Sequence, residues 1–561
     1  MRSYAVSCRE PGCIVTMFEV KKRDGLARIA VFTSGEETVR LPCAMDTEDL
    51  FPDLANRYYS NVPLAAPEPF VARYLSPGQG QPVTVHPALP GKASSGDCIM
   101  VANWNTTLEN PRNYAEWLIR LKQQLPPDTA WYAPGTALPS NVHMLCYSGF
   151  DLFDFTAVDL KAARHLFCLP EGEFPSGMME TGVCGCEGCR QGDLRTHNRL
   201  ALSREIALIT RFIADQQIRE FVEARSRMQA AHVAILRNID KHYPFIEQRL
   251  PVVRSSRLGA MSGEALGRPE VVRYGERVLQ RYIPPAAEVA VLLPCSARKP
   301  YSVSQSHRKY SEAIGGRALE LIVTSPLGLV PRELERIYPA AHYEIPVTGY
   351  WDREELAFTS GIIANFLKKH PFRRVIAHLE GGALEAARMS AHAAGIILEE
   401  SCDSRPAAAE GLRNLSAMLD GERSVRQDPV RGTLSWQFGT TVDTSGMSMR
   451  WKPPNLMVRR GREYLFSLDP GTGLLRPTFE GWKYLPGVYR VRIDDFVPQG
   501  DILAPGIVSA DPAIREGDEV LVEGPQALAT GRAAMGAAEM QSSARGVAVR
   551  VRKVLKGPAP H

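Results

Sequence analysis

Three cysteines and one histidine crowd into a short stretch of this 561-residue chain: Cys184, Cys186 and Cys189 form a C-x-C-x-x-C pattern, followed by His197. Spacing this tight suits a metal rather than a disulfide framework, and it points to a reducing compartment. Three thiolates and one imidazole complete a tetrahedral shell for Zn²⁺, and a closed shell is structural because no position remains for water. No fourth cysteine lies nearby to favour an iron–sulfur cluster. Asn198 and the apolar residues after His197 place that ligand at the start of a helix, so zinc would clamp the cysteine loop to the helix.

A second constellation runs from Pro294 to His307 and carries Cys295, Lys299, Tyr301, Ser304 and His307. A cysteine beside Arg298, Lys299 and a nearby histidine is suited to a lowered pKa and to attack on an electrophile as thiolate. Tyr301 or His307 would donate the proton such an addition needs, and Lys299 would stabilise the thiolate or orient a donor.

Buried strands must position this loop. The apolar runs Val289–Leu293, Leu319–Val323 and Val375–Leu379 each end in a polar or Gly/Pro loop followed by a helical pattern, the signature of a parallel sheet. Ligands of open α/β sheets sit beyond the strand C-termini. The loops beginning at Cys295, at Thr324-Ser325-Pro326-Leu327-Gly328 and at Glu380-Gly381-Gly382 therefore line one crevice if the strands are neighbours. Farther upstream, Leu202, Ile206, Ile209 and Ile213 sit at helical spacing and read as a core stripe.

The length calls for several domains. The sequence divides into an N-terminal extension (1–16), a zinc domain (17–250), a basic Pro-containing linker (251–285), an α/β core domain (286–402), a small accessory module (403–486) and a β-rich C-terminal domain (487–561). Met17 opens what reads as the natural start of a domain. A net charge of +4 permits a nucleic-acid partner without demanding one. No run approaches the roughly 20 apolar residues of a spanning helix, and the N-terminus lacks the apolar core of a secretory signal, so the expected location is the cytoplasm. In that setting the sequon Asn105-Thr106-Thr107 is fortuitous.

Three family resemblances follow. Gly149-Phe150-Asp151-Leu152-Phe153-Asp154, the cysteine cluster and His197-Asn198 resemble the C-terminal half of a tRNA-guanine transglycosylase. The resemblance implies a TIM-barrel-like domain with structural zinc and matches Asp154 to the family's glycosidic nucleophile. The family's Asp-Ser-Gly-Gly segment, which carries the general base, has no counterpart before residue 149, and the region is short for eight βα units. The domain is therefore expected to be degenerate, a scaffold or tRNA-docking element rather than a base exchanger.

The pattern Pro-Cys-x₃-Lys-Pro-Tyr-x₂-Ser-x₂-His, met by Pro294, Cys295, Lys299, Pro300, Tyr301, Ser304 and His307, resembles that of the archaeosine synthases. Ser325 to Glu335 and Ile345 to Asp352 are similar to the same family's core. Val491 to Phe496, Ala504 to Val508, Ala510-Asp511-Pro512 and Gly517 to Val520 resemble a PUA domain, a small pseudo-barrel that holds structured RNA.

These resemblances imply an α/β multidomain enzyme: a degenerate TIM-barrel-like transglycosylase domain with structural zinc, an α/β core, a small mixed module and a C-terminal PUA β-barrel. The implied activity is that of a transferase acting on tRNA, adding nitrogen to the nitrile of a 7-cyano-7-deazaguanine base in the D-arm to make an amidine. The implied donor is free lysine, with glutamine or ammonia as the older view of the same chemistry, and the lysine adduct passes to a radical-SAM partner enzyme. A non-catalytic tRNA-binding subunit and a residual transglycosylase are the rival readings, and a homodimer is left open.

Overall fold

The computed structural model describes residues 16–47, 50–51, 82–85, 96–101, 108, 110–346, 350–403, 405–452 and 455–557. The N-terminal extension up to residue 15, the sequon at 105–107 and positions 347–349 of the core motif lie outside the described residues. The chain divides into two compact units: Met1–Arg249 with Leu503–Gly506 and Ala538–Ala548, and Leu250–Ile502 with Ile507–Ala537 and Val549–His561.

The first unit opens with an antiparallel meander of β1 (Thr16–Asp24), β2 (Ala27–Ser34) and β3 (Glu37–Leu41). A parallel sheet follows, made of β4 (Cys43–Ala44), β5 (Val83–Val85), β6 (Cys98–Val101), β7 (Ala130–Ala133) and β8 (Leu152–Phe153) in the order β5-β6-β7-β8-β4. Its central strands β6, β7 and β8 are continuous buried runs, as a sheet covered on both faces requires. Helix α1 (Pro111–Gln124) crosses from β6 to β7, capped by Asn110 with proline in its first turn. The hairpin β9 (Leu166–Leu169) and β10 (Gly172–Pro175) leads to the short α2 (Glu187–Gln191) and the long α3 (Leu194–Ala214). The α3 stripe of Leu202, Ile206, Ile209 and Ile213 is buried, as its spacing requires.

In the second unit, β11 (Leu258–Gly259) and α4 (Pro269–Gln280) precede β12 (Val289–Pro294), α5 (Gln305–Ile314), β13 (Leu319–Thr324), β14 (Gly328–Pro331), β15 (Tyr343–Glu344), α6 (Arg353–Lys369), β16 (Arg374–Ala377), α7 (Gly381–Ala394) and β17 (Leu398–Glu400). Five of these strands form a sheet in the order β14-β13-β12-β16-β17, parallel except at β14. The two faces of β12 feed separate cores. Ala290 and Leu292 pack with Val271, Ile363, Phe366 and Leu384 from α4, α6 and α7. Val289, Val291 and Leu293 pack with Tyr310 and Ile314 of α5. Each fully buried aliphatic side chain contributes about 1.5–3 kcal/mol relative to exposure, so burial on both faces makes this strand the axis of the unit.

Residues 251–285 read as a linker from their basic, Pro-containing composition, yet Leu258, Val271, Tyr274, Val278 and Tyr282 belong to the main core cluster of this unit. Their apolar stripe is interrupted by Arg273 and Arg277, which the fold also buries. The guanidinium of Arg273 donates to the carbonyls of Leu250 and Pro251 at 2.9 and 2.7 Å.

Beyond β17 the chain forms α8 (Pro429–Phe438) and an antiparallel sheet of β18 (Met447–Lys452), β19 (Asn455–Arg460), β20 (Glu463–Leu468) and β21 (Leu475–Pro477). A six-stranded, barrel-like sheet closes the chain: β22 (Arg490–Ile493), β23 (Ile502–Leu503), β24 (Ile507–Ala510), β25 (Glu519–Glu523), β26 (Ala527–Ala533) and β27 (Val547–Lys556).

Gly328 begins β14 at φ +74°, and a Cβ there would lie 2.6 Å from Cδ1 of Ile362 on α6. Gly328→Ala therefore combines a left-handed backbone penalty with overpacking of a full core, together about 2–4 kcal/mol. Denaturant unfolding should show that loss, whereas Gly361→Ala, at a position with open space around it, should not.

Candidate functional site

The cysteine loop and the start of α3 meet as the spacing implied. The ligand atoms of Cys184, Cys186, Cys189 and His197 all lie within 4.8 Å of one another. The Cys186 and Cys189 sulfurs are 3.6 Å apart, and Nδ1 of His197 stands 3.3 and 3.2 Å from them. A tetrahedral ion with metal–sulfur bonds of about 2.3 Å needs sulfurs about 3.8 Å apart, so the set fits a zinc-sized ion. Nε2 of His197 lies 3.1 Å from the Cys168 carbonyl, which fixes the tautomer that turns Nδ1 toward the thiols. The imidazole stacks on Phe167 with centroids 3.7 Å apart, and burial holds it below its ordinary pKa, in the neutral form a metal takes. Gly188 is required here, because a Cβ would fall 2.3 Å from the His197 backbone nitrogen.

In the second unit the three expected loops do converge. Register places Pro294 opposite Val323 and Leu292 opposite Ala377, so β13, β12 and β16 end side by side. Beyond them lies a cavity of about 360 Å³ whose walls include Cys295, Ser325, Pro326, Trp351, Glu355 and Glu380. A further wall comes from residues 260–266 and Ile345-Pro346, the segments that follow the parallel pair β11 and β15. Glu355 is held in place by the Ser325 hydroxyl, which donates to it at 2.7 Å, and by a capping box with Asp352 at the start of α6. Trp351 fits against the start of α7 only because position 382 is glycine; a Cβ there would meet it at 2.7 Å.

Of the five loop residues singled out by sequence, Cys295 lines this cavity, whereas Lys299, Tyr301, Ser304 and His307 are not among its lining residues. Burial pushes the Cys295 thiol above its ordinary value, while Thr324 beside it and the Lys299 charge act in the opposite sense. The Lys299 ammonium sits 3.8 Å from the ring centroid of Tyr343 and is held below its ordinary value by burial. Tyr301 is fully buried; its hydroxyl lies 2.7 Å from that of Tyr343, which is 2.5 Å from the Thr324 hydroxyl. Hydroxyls thus run in a chain from Tyr301 to the residue beside the sulfur. Ser304 receives a hydrogen bond from Ser296 at 2.9 Å and lies 3.0 Å from Ser306, which braces the loop from within.

His307 does not serve the role its type suggested. Nδ1 accepts a hydrogen bond from Arg332 at 2.9 Å, and burial, reinforced by that guanidinium, lowers its pKa to about 3. A histidine so placed is neutral at physiological pH and holds the loop instead of supplying an imidazolium proton. Sequence reasoning missed the hub behind it. Arg332 also donates to Glu320 at 2.6 Å and to Glu335 at 2.9 Å, and Glu335 accepts the Ser302 backbone N–H at 2.9 Å. One guanidinium therefore ties the C-terminal part of the Cys295 loop, at Ser302 and His307, to β13. Position alone could not reveal this, because Arg332 is distant from the motif in sequence.

Asp154 in the first unit is nearly buried and fully engaged. It accepts from the Tyr132 hydroxyl at 2.7 Å, the Gly135 N–H at 2.9 Å and the Thr156 N–H at 2.9 Å. Among the described residues, no helix is long and apolar enough to cross a membrane.

Comparison with known proteins places these features. A family model described as a domain of unknown function matches residues 271–419, and the PUA domain model matches residues 489–555. The chain is similar to the archaeosine synthase subunit alpha of Methanosarcina acetivorans, 37% identical over 505 residues that cover 83% of this chain and 81% of that one. It is similar to the archaeosine synthase of Haloferax volcanii, 34% identical over 481 residues and 82% of each chain. Similarity also extends to a tRNA-guanine(15) transglycosylase of Methanobrevibacter smithii, 27% identical over 267 residues, 44% of this chain and 40% of that one.

The Cys295 environment has a direct chemical consequence. With the thiol raised by burial, alkylation by iodoacetamide should be slow at pH 7.5 and still rising above pH 9. Removing the nearby charge with Lys299→Gln should move the rate profile to higher pH. Peptide mass spectrometry at Cys295 reads both, and a plateau below pH 7 would show a preformed thiolate instead.

Proposed function

We propose that this chain, which belongs to the archaeosine synthase family and modifies tRNA, converts the nitrile of a 7-cyano-7-deazaguanine base already installed in the D-arm into an amidine. The observation that carries this reading is the placement of Cys295 in the wall of a cavity at the C-terminal ends of a parallel sheet, within the segment shared with archaeosine synthases. A cavity of about 360 Å³ is within the range used for small ligands, and Trp351 and Tyr350 offer ring faces for a planar base.

The chemistry is an addition followed by a displacement. The Cys295 sulfur bonds to the nitrile carbon while a proton passes to the nitrile nitrogen, giving a thioimidate. The incoming amine then forms a C–N bond to that carbon, the C–S bond breaks, and the sulfur recovers its proton, leaving the amidine. A thiol that stays protonated until substrate arrives suits this sequence, since it brings the proton the nitrile nitrogen needs. Thr324, Tyr343 and Tyr301 provide a hydroxyl chain beside the sulfur, and Lys299 stabilises the thiolate as it forms. Ser304 and His307 are positioning residues for the loop.

Free lysine is the donor in this scheme, with glutamine or ammonia as the alternative, and a radical-SAM partner enzyme releases archaeosine from the lysine adduct. The name of the Methanosarcina acetivorans relative, a subunit alpha, supports action alongside a second protein. The enzyme works in the cytoplasm, where its tRNA substrate resides. The PUA domain anchors that tRNA.

Incubating the protein with cyano-base tRNA and labelled lysine should transfer label to the tRNA, and Cys295→Ala should abolish transfer. Intact-protein mass spectrometry without lysine should reveal an adduct on Cys295. Near-normal turnover by Cys295→Ala would refute the covalent route, and absence of any label transfer by the unmodified protein would refute lysine as donor.

The Cys184, Cys186, Cys189 and His197 set holds zinc as a structural clamp between α2 and α3. One equivalent of zinc per chain is expected by elemental analysis. Chelation or Cys189→Ser should lower the thermal midpoint before it affects chemistry, because metal binding is coupled to folding. A fold that survives thorough chelation unchanged would rule the clamp out.

A further inference from the structure

The sheet of β18 to β21 has one buried face and one open face, and the open face has no assigned role. Leu456, Val458, Phe466 and Leu468 turn inward. Direct cross-strand partners share a face of the sheet. Pairing of Met457 with Arg450 and Ser467, and of Arg459 with Ser448 and Tyr464, defines two outward rows. From Met447 to Leu468 the sequence holds Arg450, Lys452, Arg459, Arg460 and Arg462 against a single acid, Glu463.

These arginines are not used up by the fold. Among the described residues, Arg450, Arg459, Arg460 and Arg462 form no ion pair, in contrast to Arg476 on β21, which pairs with Asp469 at 2.5 Å. Nε of Arg459 is buried without a hydrogen-bond partner, and its guanidinium carbon lies 4.5 Å from the ring centroid of Tyr464. Arg460 donates to the Tyr484 hydroxyl at 3.1 Å. Tyr464 is 47% exposed and Met457 37%, so rings and thioethers are interleaved with cations on an open surface.

We propose that this face, with the adjoining turn between β19 and β20, is a second RNA-binding surface, which grips the phosphate backbone of the tRNA through Arg450 and Arg459 on the face and Arg462 in the turn, with Tyr464 as a stacking platform. The proposal rests on the reading of the protein as a tRNA-modifying enzyme. Guanidinium groups that are planar, weakly hydrated and uncompensated suit phosphate oxygens, and aromatic faces flanked by arginine suit exposed bases. A protein partner would call for a drier, less charged patch. Rigidity adds to the case. Asp469 at the end of this sheet also pairs with Arg532 of β26 at 2.7 Å, and Trp482 donates to the Thr530 hydroxyl at 3.1 Å. The face is thus held in fixed relation to β26 of the PUA sheet, and two weak RNA contacts on one rigid body reinforce each other through effective concentration.

The test is binding of an unmodified tRNA transcript to the full chain across a salt series, which needs no chemistry. Replacing Arg450, Arg459 and Arg462 by Gln should lower the slope of log affinity against log salt by about 2–3 and weaken binding about tenfold or more near physiological salt. Arg413, Arg423 and Arg426, exposed outside this sheet, provide a control of equal charge change when replaced by Gln, and that variant should bind as the parent does. If the triple variant folds poorly, Arg450→Glu with Arg462→Glu, at two exposed positions, asks the same question. Unchanged affinity and slope in folded variants would overturn the surface while leaving the functional reading intact. Equal losses in the control would also overturn it, as a general charge effect. Failure of the parent chain to bind tRNA would overturn the functional reading and the surface together.

Discussion

The candidate site depends on one register. Because β12 runs parallel to both β13 and β16, with Pro294 level with Val323 and Leu292 level with Ala377, three strand ends stop at the same edge of the sheet. Parallel strands require long crossovers, and the helices in those crossovers cover both faces, so only the C-terminal edge is left free to be shaped by loops. The cavity with Cys295 is the outcome. The loop that carries Cys295 must then cover buried polar groups, and Arg332 resolves the conflict. Its charge is compensated by Glu320 and Glu335, and another of its N–H groups reaches His307. A guanidinium left unpaired at that depth would cost several kcal/mol, so the network and the loop conformation stand or fall together.

That same burial sets the state of the thiol on which the proposed chemistry rests. A cysteine held below its ordinary pKa attacks as a thiolate but arrives without a proton. Here desolvation dominates and the thiol stays protonated, while Lys299 and Thr324 stand close enough to stabilise the anion once it forms. In the proposed reaction, addition to a nitrile needs a nucleophile and a proton in the same step, and a thiol beside a hydroxyl chain would supply both. His307, held neutral with its pKa near 3, contributes geometry rather than acid.

How far the sequence could be read follows the range of the interactions. The four candidate metal ligands were legible because chemically unmistakable residues fall within fourteen positions, and local chain geometry alone brings them together. The strands at 289–294 and 319–324 were legible because short, largely apolar runs, broken in the second by Glu320, are distinctive of sheets covered on both faces. Long-range partners were not. Tyr343 beside Tyr301, Glu335 on the Ser302 backbone and Arg332 on His307 depend on tertiary placement that no local spacing encodes. Helix α4 was hidden for a related reason. Its apolar positions alternate with Arg273 and Arg277, residues that composition assigns to solvent but that the fold buries.

Asp154 shows why a matched catalytic residue is not evidence of a retained activity. Its carboxylate accepts the Tyr132 hydroxyl and two backbone N–H groups, so it joins the end of β7, the turn at Gly135 and the start of the helix at Thr156. Removing it would leave buried donors unsatisfied, each at a cost of about 1–3 kcal/mol. That cost alone favours keeping an aspartate at this position whether or not it attacks a ribose. A nucleophile also needs a lone pair directed at substrate and a partner to handle the departing base, and the sequence before residue 149 lacks the segment that carries that partner. The carboxylate therefore works as a fastener of the parallel sheet, and the proposed chemistry is assigned to Cys295 in the second unit.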